Sequence, residues 1–143
     1  KARLYVVKGV YLMFNDGTLI ASQSSPDIQT IDRDLFAATL DVIQNFMRTS
    51  FPIFSGRSLR TIEHGELRII IERGRFCYLA CVVSGQESDL LRRQLRDELL
   101  AFEDANSRVL SRWRGLAEEA LGADEALLRI LAGSPQFLPT GQG

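Results

Sequence analysis

Residues 66–84 read ELRIIIERGRFCYLACVVS. In the first half Leu67, Ile69 and Ile71 alternate with Glu66, Arg68, Ile70 and Glu72, which predicts a strand with one apolar and one mixed face. Gly74-Arg75 supplies a turn. In the second half, Cys77, Leu79, Cys81 and Val83 alternate with Phe76, Tyr78, Ala80 and Val82, so both faces are apolar. Such a strand belongs at the centre of a sheet that is covered on both sides.

Only one other stretch has the same property. Residues 4–14 (LYVVKGVYLMF) set Val10, Leu12 and Phe14 against Tyr11 and Met13, and the two strands are predicted to be neighbours. Gly9 interrupts the run and marks a bulge or the true start of the strand. Asn15-Asp16-Gly17-Thr18 follows, and Asp-Gly offers the positive φ of a tight hairpin turn into a short strand at 19–22. A polar loop over 23–31 leads to Asp32 as a helix cap. Phe36, Leu40, Ile43 and Met47, with Leu35, Val42 and Phe46 beside them, have the 3.6-residue spacing of an amphipathic helix over 33–49. Pro52 stops it. Residues 58–64 read as a further strand, closed by a turn at Gly65.

Gly85 ends the last strand, and a long helix starts near Ser88. Its apolar positions are Leu91, Leu95, Leu99, Phe102, Val109 and Trp113, with a bend or break expected at Asn106. Residues 123–132 predict a short terminal helix stopped by Gly133, Ser134 and Pro135. The order is strand–strand–helix–strand–strand–strand–helix, then more helix. Short turns make the sheet antiparallel. The expected class is therefore α+β: a five-stranded antiparallel sheet with helices on both faces and a C-terminal helical extension.

Composition limits the function. The 143 residues are 45% apolar and 24% charged, enough for one core. Lys+Arg is 17 against Asp+Glu 18, a net charge of −1, which disfavours a generally basic nucleic-acid binder or a polybasic membrane protein. No apolar run approaches the ~20 residues of a membrane helix, and no signal peptide is visible. Two Cys and one His do not make a usual structural zinc site or a disulfide framework. Opening on Lys1 rather than Met, inside an apolar stretch, reads as a domain cut from a longer polypeptide or as a processed chain.

Candidate chemistry is thin. His64 sits beside Glu63 and Glu66 at a turn; a general base is conceivable there, but an exposed turn histidine is the simpler reading. Cys77 and Cys81 are ~13 Å apart along one strand, too far for a disulfide, and fit small core residues. Ser24-Ser25 and Ser84 lack a partnered histidine or a nucleophile-elbow setting. No phosphate-binding glycine loop or calcium loop is present. No catalytic, cofactor or metal residue is therefore assigned.

Two features suggest contact with a partner instead. Arg92, Arg93 and Arg96, with Arg108, Arg112 and Arg114, form a partly basic stripe that suits an acidic partner or phosphate groups. Asp89, Asp97, Glu98, Glu103 and Asp104 interleave with it, and the alternative is a solvated face with i,i+4 pairs. Phe51-Pro52-Ile53-Phe54 is either an exposed docking patch or a plug at one end of the sheet. Phe137-Leu138 poses the same question. Phe51, Ile53, Phe54, Arg92 and Arg96 are thus the candidate interaction residues.

Three blocks carry a family resemblance: Val10–Ile20 (VYLMFNDGTLI), Asp41–Phe46 (DVIQNF) followed by Ser50-Phe51, and Glu66–Gly74 (ELRIIIERG). Together they resemble the longin-like and roadblock-like superfamily, in the form appended to archaeal and bacterial signalling or scaffold proteins. The resemblance spans roughly residues 4–114. It implies a longin/roadblock-like domain over 1–114, a helical extension over 115–133 and a flexible tail over 134–143. It also implies a non-enzymatic, cytoplasmic protein–protein interaction module that forms a homodimer or binds a small GTPase, with no cofactor, nucleic acid or membrane insertion. The competing expectation is a small-ligand sensor, by analogy with PAS-like or profilin-like domains.

Overall fold

The computed structural model describes residues 5–25, 34, 37, 38, 40–42, 45, 61–64, 67–85 and 89–133. Five antiparallel strands form one sheet: β1 (Tyr5–Phe14), β2 (Leu19–Ser24), β3 (Thr61–His64), β4 (Leu67–Arg73) and β5 (Cys77–Gly85), in the order β2-β1-β5-β4-β3. Residues 34, 37, 38, 40–42 and 45 are helical and belong to α1. Then come α2 (Asp89–Ala105), α3 (Ser107–Ser111), a 3-10 turn (Ala117–Glu119) and α4 (Ala123–Ala132).

β1 and β5 pair along their full lengths, from Tyr5 opposite Gly85 to Phe14 opposite Cys77. Both faces of this pair are buried. On one face Val10, Leu12, Leu79, Cys81 and Val83 pack with Leu91, Leu95 and Leu99 of α2 and with Leu127 and Ile130 of α4. On the other, Tyr11, Met13, Tyr78, Ala80 and Val82 pack with Ala37 and Leu40 of α1. The expected adjacency of the two doubly apolar strands and the two covered faces are thus seen directly.

Lys8 makes the one change of phase in β1. The register with β5 shifts between Val7 and Gly9, so Val7 and Val10 face the same core although they are three apart. An extra residue in one strand does this. At the other end, Gly17 has φ +94° and the Thr18 amide donates to Asp16 Oδ1 at 2.8 Å, which is the hairpin turn read from Asp-Gly.

The α2–α4 side of the core is closed by buried polar groups that the sequence pattern does not announce. Glu103, near the end of α2, is only 5% exposed. Its carboxylate accepts the amides of Arg75, Phe76 and Cys77 at 2.9, 2.7 and 2.8 Å, satisfying the backbone of the β4–β5 turn. This corrects the reading of Glu103 as part of a solvated face. Gly74 is required by the same contact, since a Cβ there would stand 2.5 Å from Glu103 Oε1. Asn106 breaks the helix as expected, and is itself buried: its Nδ2 donates to Phe102 O and Leu121 O, and its Oδ1 accepts the Leu121 amide. Residues 107–133 therefore share their core with α2. Leu110, Ala120, Ala123, Leu127 and Ile130 all lie in the same cluster.

Replacing Glu103 by Ala should remove the acceptor of three amides, leaving the buried Cys77 amide without a partner and those of Arg75 and Phe76 to water. We expect a loss of about 2–4 kcal/mol in urea unfolding, with a smaller loss for Glu103→Gln, which keeps one acceptor oxygen. A cost below ~0.5 kcal/mol for Glu103→Ala would show the carboxylate to be dispensable.

Candidate functional site

The arginine stripe divides into structural and surface members. Arg92 reaches inward from α2: its NH1 donates to Glu72 Oε2 at 2.9 Å and its NH2 donates to Thr61 Oγ1 at 2.7 Å. Glu72 is 6% exposed, and lies on the mixed face of β4, which points at α2 rather than at water. Arg92 thus ties α2 to β4 and to the first residue of β3. Arg96, one turn on, is 62% exposed and stands 3.9 Å from Glu72 Oε1. The other basic groups are surface residues: Arg129 forks onto Glu98 at 2.9 and 3.0 Å, and Arg114 pairs with Glu119. Each of these pairings holds its guanidinium proton more tightly. Phe51, Ile53 and Phe54 lie outside the described residues, as do Phe137 and Leu138.

The polar candidates do not converge. His64 is on β3, opposite Leu67 in register. Ser25 donates its hydroxyl to Lys8 O at 3.2 Å, a strand-end contact. Cys77 and Cys81 are both buried, and neither forms a disulfide. Burial pushes the Cys77 thiol far up, with Glu103 and then Asp16 adding to the effect. Burial alone pushes Cys81 up to about 12. Such thiols are poor nucleophiles. Among the described residues no three His, Cys, Asp or Glu side chains gather as a metal site, and no described helix is long and apolar enough to cross a membrane.

What the surface offers instead is apolar. Val42 is 66% exposed on α1, while Ala37 and Leu40 of the same helix are buried against the sheet. Two residues on a helix separate by about 200°, so Val42 points away from the sheet because Leu40 points into it. That signal was available in the spacing, which instead grouped Val42 beside the buried stripe. On the opposite layer Leu121 is 74% exposed and Leu128 is 47% exposed. Leu121 borders an open cleft of about 430 Å³ between β2 and residues 117–125.

The chain is similar to a Roadblock/LC7 domain. That domain is from Streptomyces avermitilis; the likeness runs at 21% identity over 59% of this chain and 71% of that one, with a TM-score of 0.44. No family model and no curated protein matches the sequence.

The two arginines should respond differently to truncation. Arg92→Ala removes the closer cation, at 2.9 Å, from a buried carboxylate and should cost on the order of 2–4 kcal/mol in chemical denaturation. Arg96→Ala, exposed and at the limit of ion-pair distance, should cost less than about 0.5 kcal/mol. Equal effects would contradict the assignment of Arg92 as the structural member.

The thiols give a second expectation. In native buffer a thiol-reactive dye should label Cys77 and Cys81 only at the rate of unfolding. Because folding raises the Cys81 pKa from 9.0 to about 12, its contribution to stability is complete below pH 9 and is lost as pH rises from there towards 12. Rapid labelling at neutral pH would contradict this.

Proposed function

We propose that this chain is a non-enzymatic protein-interaction module, part of a larger signalling or scaffold polypeptide, that associates with a second copy of itself through the outer side of α1. The observation that carries the reading is Val42, two-thirds exposed in the middle of a helix whose other side is already buried. Asp34 and Ala38 are exposed on the same helix, so a small and an apolar residue stand one turn apart there. In the sequence, Leu35 precedes Val42 by seven positions and Phe46 follows it by four, which continues the apolar spacing. A helix apolar on two sides is characteristic of one that is covered on both.

A two-fold contact suits these residues. Antiparallel helices related by symmetry set the Val42 of one copy against the small Ala38 of the other, and a symmetric patch must be complementary to itself. The carboxylates of the interior are held by backbone amides or an arginine, and the thiols are protonated, which supports a presenting role over a reacting one. Location in the cytoplasm and a small GTPase as alternative partner belong to the same reading. The ligand-sensor reading has weaker support, since the cleft beside β2 is open to solvent rather than enclosed.

Light scattering across a concentration series tests this. A dimer is expected, with Val42→Asp shifting it to monomer while leaving the melting temperature of the monomer within a few degrees, because an exposed site carries little folding energy. A chain that stays strictly monomeric up to about 1 mM, the weak limit of useful self-association, would overturn it. A monomer whose surface binds a purified small GTPase in a Val42-dependent way would move the partner from a second copy to that class.

A further inference from the structure

Leu121 is the most exposed large apolar side chain among the described residues, yet both of its backbone polar groups are bonded to one buried side chain. Its amide donates to Asn106 Oδ1 at 2.8 Å, and its carbonyl accepts from Asn106 Nδ2 at 2.8 Å. Asn106 itself is 6% exposed and gives a further bond to Phe102 O. A buried amide thus grips one leucine from both sides and leaves its side chain in water. Gly122, at φ +85°, turns the chain straight into α4 behind it. An apolar group displayed on a rigid mount loses little freedom on binding, which is the arrangement that favours recognition.

The mount stands at the lip of the cleft beside β2. Ile20, Ala21, Ala120 and Ala123 line it beside Leu121; these are short or apolar, so an apolar side chain can pack there within a polar rim. The rim is acidic. Glu118, Asp124 and Glu125 are exposed there, and among the described residues no lysine or arginine lines the cleft. Gln23 donates to Asp124 Oδ1 at 3.1 Å, which holds that carboxylate at the edge of β2. The cleft lies on the α2–α4 side of the sheet, the layer opposite α1.

We infer that the cleft between β2 and residues 117–125 seats an extended segment of a partner protein, an apolar side chain packed against Leu121 with lysine or arginine flanking it. Charge complementarity selects the class. An apolar insert alone would fill the hollow, but a basic flank complements the three carboxylates that line it, and an acidic or phosphorylated segment is repelled. The neighbouring β2 edge gives an extended backbone a direction along which to lie. This surface is separate from the one assigned to self-association, so either can fail alone.

The test uses fluorescein-labelled peptides with a central Leu-Phe pair flanked by lysines, matched peptides flanked by glutamates, and a lysine peptide with serines at the centre. The lysine Leu-Phe peptide should bind the intact chain saturably, weaken as salt is raised, and shift amide resonances of Ile20, Ala21 and Leu121. Leu121→Ser, and the pair Glu118→Lys with Glu125→Lys, should each weaken it by about ten-fold or more, with circular dichroism and melting unchanged because all three sites are exposed. Val42→Asp should leave it intact. Equal binding of the glutamate or serine peptides, amide shifts centred outside the cleft, or no binding of the lysine peptide at about 1 mM would each overturn the proposal.

Discussion

The pairing of β1 with β5 is the contact on which the remaining structure hangs. From Cys77 to Val83 the strand β5 has seven consecutive buried residues, and β1 is buried from Gly9 to Met13. A sheet centre with no wet face cannot be stable as a single layer. Fully burying one Val, Leu or Met side chain is worth roughly 1.5–3 kcal/mol, so stripping either helical layer would expose several such groups at once and exceed the net stability of a small domain. The topology follows. A helix must cross one face and further helices the other, and the short hairpins at Gly17 and Gly74 leave the α1 crossing and the C-terminal run as the segments that can do so.

Both layers meet the sheet through apolar contacts. The α1 layer meets the sheet through apolar contacts of Ala37 and Leu40 with Tyr11, Met13 and Tyr78. The α2–α4 layer adds directed polar contacts: Glu103 to the β4–β5 turn, Arg92 to Glu72 and Thr61, Asn106 to Leu121. Apolar burial is indifferent to small slides and rotations, whereas these bonds each specify one position of the helix. Their combined effect is to set where residues 107–133 lie, and with them Leu121 and its acidic neighbours. Phe14 stacked on Trp113 at 4.9 Å closes the same layer at the hairpin end of the sheet.

The strands and their partnership were readable because alternation has one physical cause, the side to which each residue points. β4 and β5 fall within a residue of the expected limits, and α4 matches them at both ends. The side chains that lock the fold were not readable, for a reason that Glu103 makes plain. At Glu103 the helical pattern predicts a surface position beside Asp104 and Arg108, and nothing local says that three amides from residues 75–77 will arrive there. Glu72 misleads in the same way: one charged residue on a strand face looks solvent-facing until Arg92 of a helix twenty residues later covers it. Asn106 was half readable, as a helix breaker but not as a clamp. Pattern reports which face an atom occupies; pairing at a distance is set by the tertiary fold that the pattern has yet to build. Val42 lies on the legible side of that boundary, since its spacing from Leu40 already put it on the outer side.

The distribution of polar groups bears on the choice between reacting and presenting. Glu72, Glu103 and Asn106 are the buried carboxylate and amide side chains among the described residues, and each is bonded to an arginine or to backbone. A general base or nucleophile needs a lone pair left open to a substrate, beside a group that sets its pKa near neutrality. Here the interior lone pairs are engaged by amides and guanidinium, and the two thiols are driven away from neutrality by the same burial that stabilises the core. The uncommitted chemistry lies outside, as isolated apolar side chains on rigid supports on both layers. An apolar group kept in water gains free energy only when something covers it, so a fold that fixes Val42 and Leu121 in exposed positions is one whose surface energy is lowered by association. Val42 and Leu121 lie on opposite layers, so the two proposed associations would not displace one another.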